Sequence, residues 1–585
     1  MSAAITSNIV SHLAVMAERQ PDRPAVLFPA RRDAQGVHYT QYSFRKLDTV
    51  SSQMARGFER IGIKRGVRAA LLVPPSLDFF ALTFALFKVG AVPVLIDPGI
   101  GLDNFANCLA EAEPQAFIGI PKAHAARILL GWAPSVSIPV TVGARWFWSG
   151  HTLAQVQKLG ATEEGFSPAI PTPDETAAIL FTSGSTGAPK GVVYTHEIFT
   201  AQVEHIRALY GIQPGEMDLP TFPLFALFGP ALGMAAVIPE MDPTRPAQVD
   251  PVKLIEAIQR FGVTNMFGSP AVINRLGRHG EAHGVKLPTL RRAISAGAPV
   301  PAKALARFAA MLPPGAQVFT PYGATECLPV ASIGSDEILG ETRLQTELGK
   351  GVCVGHPVPG LTVKIIRIVD DAIAAWSDDL KLPRGEIGEI AVQAAHATRS
   401  YFNRPTATAQ AKIPCSSTFQ CREDSQPKGP QDSTLECRAT DFFHRMGDVG
   451  YLDERGRIWF CGRKSHRVVT QAGTLFTIPC EAIFNTHPAV FRSALVGVPG
   501  AAGSGQGGDC KSPAREPAIC IELEADARGQ DEAKLRAELL ALGAKFAHTQ
   551  AIRTVLFHPA FPVDIRHNAK IFREKLAVWA EKQLA

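Results

Sequence analysis

The sequence predicts an α/β protein. A large N-terminal domain of parallel and mixed sheets flanked by helices is followed by a small C-terminal α/β domain. Three observations carry this. Short apolar runs alternate with helix-length segments through residues 1–330, and strand–helix–strand order implies parallel pairing. Residues 350–395 turn β-rich. After Arg463 the composition changes again, and 585 residues exceed what one ordinary core encloses.

Taken in order, apolar residues at helical spacing predict a helix over 9–17. Buried strands are expected at 69–73 and 92–96, with a helix over 77–89 between them. The run 177–181 reads as a further buried strand. A helix over 253–261 and strands at 265–267 and 293–295 continue the rhythm, and strands at 363–369 and 389–392 form the β-rich part. The domain boundary is placed near Ser465, giving an N-terminal domain over 1–464 and a C-terminal domain over 465–585 that ends in a basic helix from Lys570 to about 576. Residues 414–440 are polar, hold three cysteines and lack periodicity; residues 499–517 are rich in Gly, Ser and Pro. Both read as surface insertions.

Composition excludes several classes. Apolar residues make up 46% and charged residues 19%, as in a globular enzyme. The net charge of +5 is small for this length, and no basic patch interleaves with aromatics, so nucleic acid is not an expected partner. Ten cysteines contain no C-x-x-C pair, which argues against zinc and a redox dithiol. The start lacks a basic region followed by an apolar core, and a cytoplasmic location is expected. Residues 79–96 and 222–238 are apolar enough to suggest a membrane span, but Lys88 interrupts the first, and Pro223, Gly229, Pro230 and Gly233 break the second. Each reads as a buried helix–strand unit or a pocket wall, with peripheral membrane contact as the alternative.

The chemistry centres on residues 181–191. Behind the strand at 177–181 come Thr182, Ser183, Gly184, Ser185, Thr186 and Gly187, with Lys190 just beyond. Glycines let backbone approach a ligand closely, and bare N–H groups, hydroxyls and a lysine suit a polyphosphate. The pattern is not G-x-x-x-x-G-K-[ST], because the lysine is followed by Gly191. Four further motifs follow in order. Gly297, Ala298 and Pro299 form a small-residue turn after a strand. Tyr322, Gly323, Thr325 and Glu326 combine a stacking face, a flexible position, a phosphate donor and a Mg²⁺ ligand. Asp448 can accept from ribose hydroxyls, and Arg463 can reach sugar or phosphate. Lys570 closes the segment 561–570.

This ordered set resembles the AMP-forming acyl-adenylate synthetase superfamily over nearly the whole chain apart from the two insertions. The resemblance implies that Thr182 to Lys190 form a phosphate loop closing on ATP, with Thr186 and Glu326 holding Mg²⁺. It implies that Gly297, Ala298 and Pro299 line the adenine pocket, Tyr322 stacks on adenine beside Gly323, and Thr325 bonds the α-phosphate. Asp448 and Arg463 would grip the ribose. Lys570 would be carried on a mobile domain to the reacting carboxylate.

Departures from the common pattern concern acyl transfer. The C-terminal lysine follows Ala569, the hinge position is Ser465, and Ala226 stands near the usual place of a tunnel-guarding histidine. With the run from Pro562 to Lys570 and the run from Gly462 to His466, the chain looks most like the olefin β-lactone synthetases. That resemblance implies a long-chain 2-alkyl-3-hydroxy acid as substrate, adenylation, and ring closure by the acid's own hydroxyl without an external thiol. It further implies a pathway assembly with a β-lactone decarboxylase and a reductase. A long-chain acyl-CoA ligase is the alternative enzyme, and a non-catalytic acyl- or nucleotide-binding scaffold is the alternative from another class. The apolar cluster of Phe222, Leu224, Phe225, Leu227, Phe228 and Met234 reads equally as pocket wall or core. His196 reads as structural, with a role in deprotonating the hydroxyl as the alternative.

Overall fold

A computed structural model describes residues 5–161, 165–182, 189–415, 441–500, 515–563 and 570–585. Seven strands form one sheet in the order His151–Thr152, Ile138–Thr141, Ala116–Gly119, Arg68–Leu72, Val92–Ile96, Thr176–Thr182 and Lys190–Thr195. Every pairing is parallel except the last, which is an antiparallel hairpin. A larger sheet has a parallel centre, in which Ala235–Val237, Met217–Pro220, Asn265–Phe267, Arg292–Ile294 and Gln317–Ala324 lie side by side. It continues antiparallel through Cys327–Gly334, Val352–Pro357, Ile458–Arg463, Phe442–Leu452, Gly388–Gln393 and Thr362–Ile366. The expected parallel-then-β-rich reading holds.

The helix Leu77–Lys88 shows why the two sheets stay together. Ser76 caps it by accepting from Phe79 N at 3.2 Å. Its residues are apolar on every side, so it has no solvent face and sits between layers. Phe80 and Leu82 share one core with Ala178 and Val192 of the seven-stranded sheet and with Val26 and Ala236 of the larger one. Lys88 is buried with them, its Nζ donating to Asp48 Oδ1, Asp48 O and Ser52 Oγ at 2.7 Å each. Three acceptors replace its hydration.

Of the two apolar stretches, the first is the buried helix–strand unit expected, while two other expectations need correction. Residues 79–96 become this helix and the strand Val92–Ile96, all interior; residues 222–238 become Pro223–Ala226, Phe228–Leu232 and Ala235–Val237. Among the described residues no helix is long and apolar enough to cross a membrane. The strand expected over 363–369 stops at Ile366, because Arg367 N donates to Leu380 O at 2.8 Å and leaves the ladder. The C-terminal helix starts at Arg573, not Lys570: Ile571 bridges Val563, and Phe572 N donates to Pro562 O at 2.9 Å, holding that part extended.

Beyond Arg463 the chain forms a separate three-stranded sheet of Val490–Val498, Glu516–Leu523 and Thr554–Phe557, with the helices Thr477–Phe484, Glu532–Gly543 and Arg573–Leu584. A buried pair, Glu481 with Arg573 at 2.7 Å, joins the first and last of these helices. Of the two insertions read from the sequence, residues 416–440 and 501–514 lie outside the described residues.

Candidate active site

Three motif segments leave the sheets at the carboxyl ends of parallel strands, where α/β proteins bind ligands. The strand Thr176–Thr182 runs into the Ser/Thr/Gly segment, of which Ser183, Gly184, Ser185, Thr186 and Gly187 lie outside the described residues. The chain returns as Lys190–Thr195, with Thr182 paired to Lys190. Residues 297–299 follow Arg292–Ile294, with Gly297 at φ +97°, a conformation that disfavours side chains. Thr325 and Glu326 follow Gln317–Ala324 directly and form its two-residue turn into Cys327–Gly334, Ala324 pairing with Cys327.

That turn is fixed from both sides. Tyr194 Oη donates to Thr325 O at 2.6 Å. Glu326 O accepts from Thr398 N at 2.8 Å and from Thr398 Oγ1 at 3.2 Å. Gly323 is required here because a Cβ would lie 2.7 Å from Cys327 O.

The strand pairing Asp448↔Arg463 places these two side chains together, with Arg463 Nη1 2.6 Å from Asp448 Oδ1. Tyr322 Oη donates to Asp448 Oδ2 at 2.7 Å. Each carboxylate oxygen thus has one fixed donor and keeps a lone pair for a further one. Burial, and then the Asp448 charge, raise the Tyr322 phenol well above its ordinary value, so it stays a donor. The Asp448 carboxylate raises Arg463 in turn. Tyr322 and the Asp448–Arg463 pair, more than a hundred positions apart in sequence, are one hydrogen-bonded unit.

A second unit centres on Tyr401, which the sequence reading missed. Its hydroxyl donates to Glu326 Oε1 at 2.6 Å, and Lys190 Nζ sits 4.9 Å from its ring centroid. The segment carrying it is stitched to the phosphate-loop hairpin, with Val193 N donating to Ser400 O at 3.2 Å and Phe402 N to Gly191 O at 2.7 Å. Tyr401 lies in no motif of catalytic residue types; the aromatic at a strand-bound turn was the available signal. Glu326 Oε2 has no hydrogen-bond partner among the described residues. One carboxylate with a spare oxygen fits Mg²⁺, which takes few protein ligands and completes its shell with phosphate and water.

Lys570 stands between residues 564–569, which lie outside the described residues, and the Val563↔Ile571 bridge. In the apolar cluster, Met234 is core, Phe228 packs on Phe199 with centroids 6.2 Å apart, and Phe225 lies 4.3 Å from Phe267. Ala226 is buried. His196 is buried against Phe87, and neither ring nitrogen has a hydrogen-bond partner among the described residues; burial pushes it down to about 4. It is enclosed in the core.

The sequence and the fold match known proteins. The profile of the family described as AMP-binding enzyme matches residues 13–402. An olefin beta-lactone synthetase of Stenotrophomonas maltophilia is 51% identical over 581 residues, 99% of this chain and 98% of that protein. One of Xanthomonas campestris is 50% identical over 578 residues, 98% of each. Among solved structures, an amide bond synthetase from Marinactinospora thermotolerans shares the fold with a TM-score of 0.74 at 23% identity, covering 98% of this chain and 99% of that one. The chain belongs to the AMP-binding enzymes and, within them, to the family of the olefin beta-lactone synthetases.

Proposed function

We propose that the protein is an ATP-dependent ligase that adenylates a long-chain 2-alkyl-3-hydroxy fatty acid and closes it to a β-lactone. The observation that carries this is the half-identity to two olefin beta-lactone synthetases, which extends through the C-terminal unit as well as the nucleotide half. The site geometry supports the first step. Asp448 and Arg463 present a paired acceptor and donor for the ribose, Tyr322 offers a ring held by its own hydroxyl bond, and residues 297–299 would line the adenine pocket. Thr325 and the residues from Thr182 to Lys190 would meet the phosphates.

The substrate carboxylate attacks the α-phosphorus of ATP, the new P–O bond forms, and the bond to pyrophosphate breaks. Glu326, with Thr186 beside the phosphates, would hold Mg²⁺, which supplies charge neutralisation for pyrophosphate as it leaves. Tyr401 aims the Glu326 carboxylate and Lys190 keeps positive charge at the same place. Residues 465–585 act as a mobile domain that brings Lys570 to the two approaching anions. A lysine about 4 Å from the developing charge at an effective dielectric near 20 contributes about 4 kcal/mol, roughly a thousandfold in rate. In the second step the substrate 3-hydroxyl oxygen attacks the acyl carbonyl, its proton leaves, and AMP departs. An intramolecular nucleophile has the effective molarity to offset ring strain. A β-lactone yields an olefin by losing carbon dioxide, so a decarboxylase must act afterwards, and a reductase supplies the hydroxyl beforehand.

The test is incubation of the β-hydroxy acid with ATP and Mg²⁺ in the absence of CoA. Lactone seen by NMR together with AMP supports the reading, whereas a thioester formed solely when CoA is added replaces it with an acyl-CoA ligase. Lys570→Ala should abolish substrate-dependent pyrophosphate release while nucleotide binding persists; undiminished release removes that lysine from the mechanism.

A further inference from the structure

Among the exposed large apolar side chains of this protein, two adjacent pairs lie where no motif does. Trp146 and Phe147 are 55% and 71% exposed, and Leu129 and Leu130 are 78% and 54% exposed. Both pairs belong to the outer edge of the seven-stranded sheet, at the opposite end of the strand order from the phosphate-loop hairpin.

The aromatic pair is presented rigidly. Its neighbour Trp148 is buried, donates from Nε1 to Thr141 Oγ1 at 2.9 Å, and stacks on His124 with centroids 5.4 Å apart and planes at 17°. His124 belongs to the helix Pro121–Leu129, whose end carries the exposed leucines. Gly150 closes the loop at φ +105°, where a Cβ would lie 2.4 Å from Pro139 O. An exposed tryptophan and phenylalanine on such a pedestal cannot fold back to hide their area.

The charge within their own segment is one-sided. Residues 114–162 contain no Asp or Glu, although the chain has 54 of them, and include Lys122, Arg127, Arg145 and Lys158. Lys122, Arg145 and Lys158 are exposed. On the adjoining helix Leu102–Ala112, Glu111 is engaged by Arg404 at 2.6 Å, while Asp103 on it and Glu113 just after it are exposed. Tryptophan, phenylalanine and leucine beside basic groups match a membrane interface, where rings sit at headgroup depth and cations meet anionic phosphates.

We propose that this sheet edge docks the protein on an anionic lipid surface, with Trp146 and Phe147 inserted and Arg145 and Lys122 on the headgroups. The proposal does not rest on the reaction, because vesicle binding is read without turnover. The full-length protein is sedimented with vesicles of phosphatidylcholine alone and of phosphatidylcholine mixed with phosphatidylglycerol. Binding is expected with the mixed vesicles, weakening as salt is raised. The double variant Trp146→Ser/Phe147→Ser should bind about tenfold more weakly, and Lys122→Ala/Arg145→Ala should lose the preference for the anionic vesicles. Both alter exposed side chains and should keep thermal stability and turnover of detergent-dispersed substrate. No binding to the mixed vesicles, or equal binding by both variants and the parent, overturns the proposal. So does a shift of the serine variant from oligomer to monomer without change in vesicle binding, which assigns the face to a second copy of the chain.

Discussion

At the scale of single residues, the site is built from side chains that hold one another before any ligand arrives. Asp448 accepts from both Tyr322 and Arg463, so its orientation is set by two donors on different strands. Asp448→Asn keeps the shape but removes the charge facing a half-buried guanidinium. It should raise the KM for ATP by about tenfold to a hundredfold, as expected for a charge-assisted bond of about 1.5–3 kcal/mol, measured by pyrophosphate release. Tyr401 does the same for Glu326. Tyr401→Phe preserves the ring that faces Lys190 and deletes the hydroxyl bonded to the carboxylate. The expected result is a higher Mg²⁺ concentration for half-maximal pyrophosphate release, with Mg²⁺-free nucleotide binding by calorimetry unaltered. An unchanged Mg²⁺ dependence would show that the hydroxyl does not position Glu326.

At the scale of elements, function depends on where strands end and what crosses between them. The segment 398–402 ties the turn holding Glu326 to the hairpin that carries Lys190, and so couples two motifs more than a hundred residues apart. A second junction joins the N-terminal part to the C-terminal unit. Gly462, at φ +129° on the strand Ile458–Arg463, faces the helix Thr477–Phe484 so closely that a Cβ would lie 2.3 Å from Thr477 Oγ1. Gly462→Ala must either displace that helix or strain the strand. A loss of about 1–3 kcal/mol is expected, seen as a lower midpoint in urea. A variant as stable as the parent would mean that the junction yields freely.

At the scale of the whole molecule, acid sensitivity follows from enclosed imidazoles. Burial pushes His12, His196 and His396 down from 6.5 to about 4. Each is neutral when folded, whereas the unfolded chain gains protons as pH falls below 6.5. Their contribution is therefore complete above that value and is lost as pH drops towards 4, by up to about 3 kcal/mol each. Melting temperature should fall steeply across this window. His196→Leu, which removes a ring with no hydrogen-bond partner among the described residues, should flatten the slope; an identical slope would exclude His196 as a source. The same scale governs the surface: residues 79–96, among the most apolar in sequence, are interior, whereas the exposed large apolar side chains include those of the short segments 128–130 and 146–147.

The amino-acid sequence by itself determined the α/β class, the places of several strands along the chain, the Ser/Thr/Gly segment and the Tyr322, Glu326, Asp448 and Arg463 motifs. These rest on periodicity, turn residues and local spacing, which neighbouring positions encode directly. It could not show that Tyr401 reaches Glu326, that Thr398 and Tyr194 pin the turn at 325–326, or which apolar residues face water. The hydrogen bonds among these join residues 72 to 131 positions apart. They exist because two sheets close around the helix Leu77–Lys88 and bring distant strand ends to one side, a result of packing that no local pattern contains.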